Sequence, residues 1–310
     1  MKNLIKAFCV GSLLISAFQV HAQDDLTKML DEQPQEKQKV LATFKTTKLI
    51  NSQTNETVHK RVLDFRVGHR FGNIGGNSGG GVHTLYGLDQ SADIRIAFDY
   101  GITERLTVGF SRSKVKENLE GSAKFRILEQ TTNNKMPIAL TWFSNMAFTP
   151  ESNDDIYLVS ENGSLKNRDV RRLSYTHQLI IARKFSSAFS FQLVPTLMHR
   201  NYSPDYKDDN NIMALGGAAR IKVTRSMTVI ADYFYVMNKY HRTVKNADGN
   251  LMYNDPLGIG IELETGGHVF SLMFTNASSI IETEMLANTT DSWGKGGFKF
   301  SFNISRNFSL

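Results

Sequence analysis

From Lys60 to the C-terminus, apolar and polar residues alternate with a period of two, and this constrains the fold more than any other feature. The last segment is the cleanest. Phe298, Phe300, Phe302 and Ile304 interleave with Lys299, Ser301, Asn303 and Ser305. Such alternation makes a β-strand with one apolar and one polar face. About twelve such segments follow one another. Leu63, Phe65 and Val67 oppose Asp64 and Arg66 in the first; Ile94, Ile96 and Phe98 oppose Asp93, Arg95 and Asp99 in the second. Most are close to ten residues long, which suits a tilted strand crossing the hydrocarbon layer. In lipid an open sheet edge leaves backbone groups unpaired at several kcal/mol each, so such a sheet must close. The expectation is an all-β fold, a transmembrane antiparallel up-and-down outer-membrane β-barrel of about twelve strands. The rival is a soluble β-sandwich, which also alternates.

The connections sharpen the topology. Those at Tyr100–Glu104, Lys184–Ser187, Thr224–Ser226 and Thr265–Gly267 are tight, whereas 72–90, 148–170, 201–211, 237–256 and 277–294 are long. Outer-membrane barrels alternate short periplasmic turns with long outer loops. The tight connection at 115–118 breaks the rule, so strands three and four form a low hairpin or one strand is misplaced. Tyr100, Trp142, Tyr175, Tyr233 and Tyr235 fall near expected strand ends, as interfacial belts require.

The start of the chain gives the compartment. Lys2 and Lys6 precede an apolar run, Ala7–Ala17, and Val20-His21-Ala22 suits a cut before Gln23. That is the layout of a secretory signal peptide over 1–22. The run is too short to span as a helix, which takes roughly 20 apolar residues. Cys9, the only cysteine, lies too early for a lipoprotein anchor and leaves with the leader, excluding disulfides and thiolate chemistry. Residues 23–58 read as a periplasmic extension or partial plug ahead of a barrel over 59–310. Within them, 41–58 reads either as an extra strand or as a segment tucked into the lumen. The formal charge of +6 loses Lys2 and Lys6 on processing and is too scattered for nucleic acid. Proline, at only 6 residues, is scarce, as hydrogen-bonded strands require. Phe308 and Leu310 end the last strand on its apolar face, the kind of terminus that the barrel-assembly machinery reads.

Three stretches carry a family resemblance: FKTTKLINSQTNETVHKRVLDFRVGHRFGN at 44–73, YGLDQSADIRIAFDYGITERLTVGFSRS at 86–113, and the terminal FKFSFNISRNFSL. They resemble a Bacteroidota family catalogued as a membrane-bound β-barrel domain of unknown function, number fifty-seven seventy-seven. The resemblance runs from about Ala42 to Leu310, and His69-Arg70-Phe71-Gly72 and Gly87-Leu88-Asp89 are its more specific parts. It implies a fold and a location and supplies no activity.

Candidate lumen-lining residues follow from strand parity: Asp64, Arg66, Arg70, Asp93, Arg95, Asp99, Lys124, Arg126, Asp232, Glu262, Glu264 and Lys299. They either select a solute by charge or pair with one another across the ladder, and the mixed signs favour pairing. The Gly-rich stretch 72–87 lacks the Lys-Ser/Thr of a phosphate loop and reads as an outer loop. The histidines show no zinc-ligand spacing. Ser174 with His177, and Ser271 with His268, lie three apart on strands and so on opposite faces. Asp154, Asp155, Asp205, Asp208 and Asp209 lack an EF-hand pattern. The stripe at 226–235 reads as lipid contact. These readings give no catalytic residue, no metal and no cofactor. The leading expectation is a passive channel or transport-associated barrel surrounded by outer-membrane lipid. The alternative is a closed-lumen structural or binding barrel acting through its long outer loops, and an outer-membrane lipid enzyme ranks third. Solute and protein partner stay open.

Overall fold

The computed structural model describes residues 39–76, 79–150, 169–203, 205, 207–265 and 268–310. The leader, the extension up to residue 38, and Asp154 and Asp155 lie outside the described residues. Twelve strands run in chain order: β1 Val62–Asn73, β2 Ser91–Gly101, β3 Leu106–Ser113, β4 Leu119–Leu128, β5 Ala139–Phe148 and β6 Leu173–Lys184. They continue as β7 Phe189–Arg200, β8 Asn211–Lys222, β9 Met227–Val236, β10 Leu257–Thr265, β11 His268–Thr275 and β12 Lys299–Ser309. Each pairs antiparallel with its sequence neighbours, and β12 returns to β1, with Leu63 opposite Phe308. The barrel therefore has no edge.

Which face is wet decides between barrel and sandwich. Phe110, Leu197, Ile259 and Phe274 face outward and are exposed, while Asp93, Thr141 and Gln192 face inward and are completely buried. A water-soluble sandwich places its apolar faces inside. This inverted distribution fits a wall standing in hydrocarbon.

Connections after the odd-numbered strands gather at one mouth of the barrel, the long-loop end. Those after the even-numbered strands gather at the other, the short-turn end, together with the entry to β1 and the exit from β12. No strand was misplaced at 115–118. One tight turn joins β3 to β4, with Lys116 and Glu117 at positive φ (50° and 54°). Tyr100, Tyr175, Tyr233 and Tyr235 stand near strand ends. Trp142 stands three residues inside β5, as Tyr233 stands three residues inside β9, and pairs with Leu179.

The interior is occupied. Residues 43–58 dip into the lumen as a small hairpin, with Leu49 N–H donating to Ser52 O (2.9 Å) and Thr54 N–H to Thr47 O (3.0 Å). Its backbone carbonyls accept from Lys124 on β4 (2.7 Å), Thr141 on β5 (3.1 Å), Gln192 on β7 (2.6 Å) and Asn303 on β12 (3.2 Å). Only a segment inside the barrel reaches all four strands. Two short helices belong to the long-loop end, α1 Lys239–Thr243 and α2 Glu282–Asn288. α2, in the β11–β12 connection, enters the lumen and buries Met285 and Leu286. They pack with Phe143, Ile180, Val194, Met198, Ile212 and Phe234. The inner face of β5–β9 thus carries an apolar patch, beside polar Thr141, Gln192 and Asp232, where a wholly polar wall was expected, because α2 covers the patch instead of water.

Candidate functional site in the barrel interior

Strand parity places all twelve candidate residues on the inward side. The structure brings them together mostly as partners of the two inserted segments. Asp64 and Arg66 pair at 2.8 Å, and Arg66 also donates to Thr47 Oγ1 (2.7 Å). Arg70 donates to Asn51 Oδ1 (2.8 Å), to Ala277 O (2.9 Å) and to Ser279 O. Asp93 accepts from Ser113 Oγ (2.7 Å) and from Ile280 N–H (2.8 Å). Asp232 accepts from the backbone N–H groups of Asn51 (2.6 Å) and Ser52 (2.8 Å) and from Asn51 Nδ2 (2.8 Å). Glu262 accepts from Thr46 Oγ1 (2.9 Å), Arg126 meets Glu56 (3.2 Å), and exposed Glu264 at the short-turn mouth pairs with Lys45. Lys299 pairs with Asp291 (2.6 Å). Asp99 and Lys124 flank a residual cavity of about 10 Å³ beside Thr47, Arg66 and Arg95. One water needs at least ~10–15 Å³, so little space is left there.

Several charged residues were missed, Glu120, Lys48 and Glu282 among them. Glu120 accepts from Arg95 (2.7 Å) and from Ser111 Oγ (2.6 Å). Its parity with Lys124 on β4 was a usable signal. Lys48 and Glu282 form an ion pair with at most 2% of either side chain exposed. It joins the hairpin to α2. Glu282 also accepts from Gln53 Nε2 (2.9 Å) and Asn145 Nδ2 (3.2 Å). Both residues lie outside strands, where period-two reasoning has no purchase.

At the long-loop end, Asp208 accepts from His241 Nε2 (3.1 Å) and pairs with Arg200, while Asp205 accepts from the Tyr240 hydroxyl. Burial alone would raise the Asp208 carboxyl, but the bonds and charges of His241 and Arg200 outweigh it and hold it below the usual carboxylate range. The Asp205 bond pushes the Tyr240 hydroxyl up to about 12. Among the described residues no His/Cys/Asp/Glu group can hold a metal. The Gly-rich stretch stays at the rim, where Gly75 N–H donates to Gly296 O (3.1 Å). Ser174 faces inward and His177 outward, as their spacing requires. The partner of His177 is instead Ser144 across the ladder, Oγ to Nδ1 at 2.9 Å on the outer face.

A family model described as "Membrane bound beta barrel domain (DUF5777)" matches residues 44–308. Among solved structures, the NanC porin aligns with a TM-score of 0.45 and 10% identity over 80% of this chain and 100% of that one. The KdgM porin aligns with a TM-score of 0.44 and 8% identity over 80% and 99%. OmpF of Salmonella typhi, solved in complex with daunomycin, gives 0.36 and 8% over 80% and 97%. No curated protein matches.

Proposed function

This chain belongs to that membrane-bound β-barrel family, and from there we propose an outer-membrane, transport-associated barrel that rests closed and conducts when residues 43–58 withdraw. One observation carries the reading. Both ends of the hairpin lie at the short-turn mouth: Val40 N–H donates to Gln130 O in the β4–β5 turn (2.8 Å), and Arg61 N–H to Gly101 O (2.9 Å). The segment can therefore leave without threading through the barrel. Its wall contacts combine hydrogen bonds, which water can replace at little net cost, with a small apolar cluster of Phe44, Leu49 and Ile50 against Ala139, Ala182, Ala218, Ile230 and Met273. Withdrawal uncovers the charged half of the wall, which then sets ion preference.

The second reading, a closed-lumen barrel acting through its long loops, is favoured by α2. Its Met285 and Leu286 contacts are apolar and cover the β6–β8 side of the interior. Planar-bilayer conductance separates the two. The full chain stays mostly silent, whereas a chain lacking residues 43–57 conducts continuously. If that variant folds, judged by heat-modifiable gel mobility, and never conducts, the transport reading falls and the second stands.

No enzymatic activity is proposed. Among the described residues no third group orients the His177 imidazole beside Ser144, as acyl transfer needs, and lipid-hydrolysis assays are expected to give no turnover. Biogenesis uses the leader at 1–22 and the barrel-assembly machinery, which reads Phe308 and Leu310. The final N–H, of Leu310, donates to Arg61 O (2.9 Å), so the terminus is also part of the closing seam.

A further inference from the structure

The lipid-facing wall of β5–β8 carries polar features that hydrocarbon cannot satisfy. Pro195 lies within β7 and has no N–H to give the ladder. The β6–β7 pairing runs through Gln178 with Thr196, lapses, and resumes at Ile181 with Leu193. The lost bond is the one from residue 195 to the Leu179 carbonyl, which is left without its ladder donor. Leu179 lies near the middle of β6. The lapse sits in an outward groove of about 440 Å³, lined by Trp142, Leu179, Pro195, Leu197, Met213 and Leu215. All six are exposed.

His177 stands on the same face two residues away. Ser144 Oγ lies 2.9 Å from His177 Nδ1; in the tautomer where the hydroxyl donates to Nδ1, the imidazole proton sits on Nε2, which meets no acceptor among the described residues. The wall thus presents an acceptor lacking a donor beside a donor lacking an acceptor, at a depth where acyl tails offer neither. Unsatisfied groups in hydrocarbon cost several kcal/mol each. Adjacent donor and acceptor on one strand are self-complementary under a two-fold axis, the symmetry of an isologous interface.

We propose that the β5–β8 outer wall is an interface between two copies of this chain. His177 Nε2 of each copy donates to the Leu179 carbonyl of the other, and each Trp142 fills the facing groove. Trp142 is the anchor, a large aromatic in a concave apolar site.

The test uses the full chain in lipid nanodiscs and in membranes. Met213→Cys, combined with Cys9→Ser, is treated with a short bis-maleimide, and particle mass is measured in parallel. The expected result is a cross-linked dimer. Trp142→Ala and His177→Leu should each weaken dimerisation by roughly tenfold or more. Pro195→Val restores the missing N–H and should also weaken the dimer while leaving heat-modifiable mobility intact. A monomer at every protein-to-lipid ratio overturns the proposal, as does a lipid retained in the groove of a monomer. An unchanged dimer in folded His177→Leu overturns it too.

Discussion

Lys48 and Glu282 hold the two inserted segments together, and separating them predicts how firmly the lumen is closed. Lys48→Met leaves Glu282, completely buried, with the Gln53 and Asn145 amides as its remaining donors among the described residues. Removing one partner of a buried ion pair costs about 3–5 kcal/mol, because the remaining charge stays uncompensated. Neither residue belongs to a strand, so the cost falls on the closed arrangement and not on the ladder. At about 1.4 kcal/mol per tenfold, the ratio of closed to open barrels drops by about a hundred- to several-thousand-fold. Single-channel recording reads this as a rise in open probability. The double variant Lys48→Met/Glu282→Leu removes both charges and should recover much of the closure, since replacing a buried pair by apolar groups is often neutral. A double-mutant cycle then gives a coupling well beyond the ~0.3–0.5 kcal/mol scatter of independent sites. If Lys48→Met stays as closed as the wild type, or the two effects add, the segments are not coupled through this pair.

Three further outcomes follow from the same geometry. A Cβ at Gly258 would stand 2.6 Å from Ile50 Cγ2 and 2.9 Å from Asp232 Oδ1, so Gly258→Val should weaken hairpin docking by about 1–3 kcal/mol, read as faster proteolysis near residue 50 with an intact barrel. In the chain lacking 43–57, Arg66→Gln with Arg95→Gln should shift reversal potentials toward cation preference, because Asp64 and Glu120 lose their guanidinium partners. Asp208 is held below its ordinary 3.8, so its clasp on His241 and Arg200 is fully present above 3.8 and is lost as pH falls through the depressed value. Limited proteolysis of 201–210 and 237–256 should stay slow through the mildly acidic range, and release near neutral pH would contradict this.

The wall was legible because period two encodes it directly. β2 and β12 alternate without interruption, and their parity assigned Asp93, Arg95 and Lys299 inward. The apolar inner face was harder. Leu179, Ile180 and Ile181 run together in β6, and nothing local says that α2 covers the middle one. The hairpin was the least legible. Its 41–58 stretch, LATFKTTKLINSQTNETV, has no clear period, and its shape is imposed by donors and acceptors on distant strands. Lys48 and Glu282, more than two hundred residues apart, meet only once the barrel has closed.

Hydrogen–deuterium exchange of residues 43–58, with the full chain folded in lipid, tests most directly whether the protein fills its own lumen. The amides of Leu49, Asn51, Ser52 and Thr54, each bonded inside the barrel, should exchange far more slowly than in a free peptide of the same sequence. Exchange at the free-peptide rate, in a barrel whose strand amides are protected, would mean an open lumen.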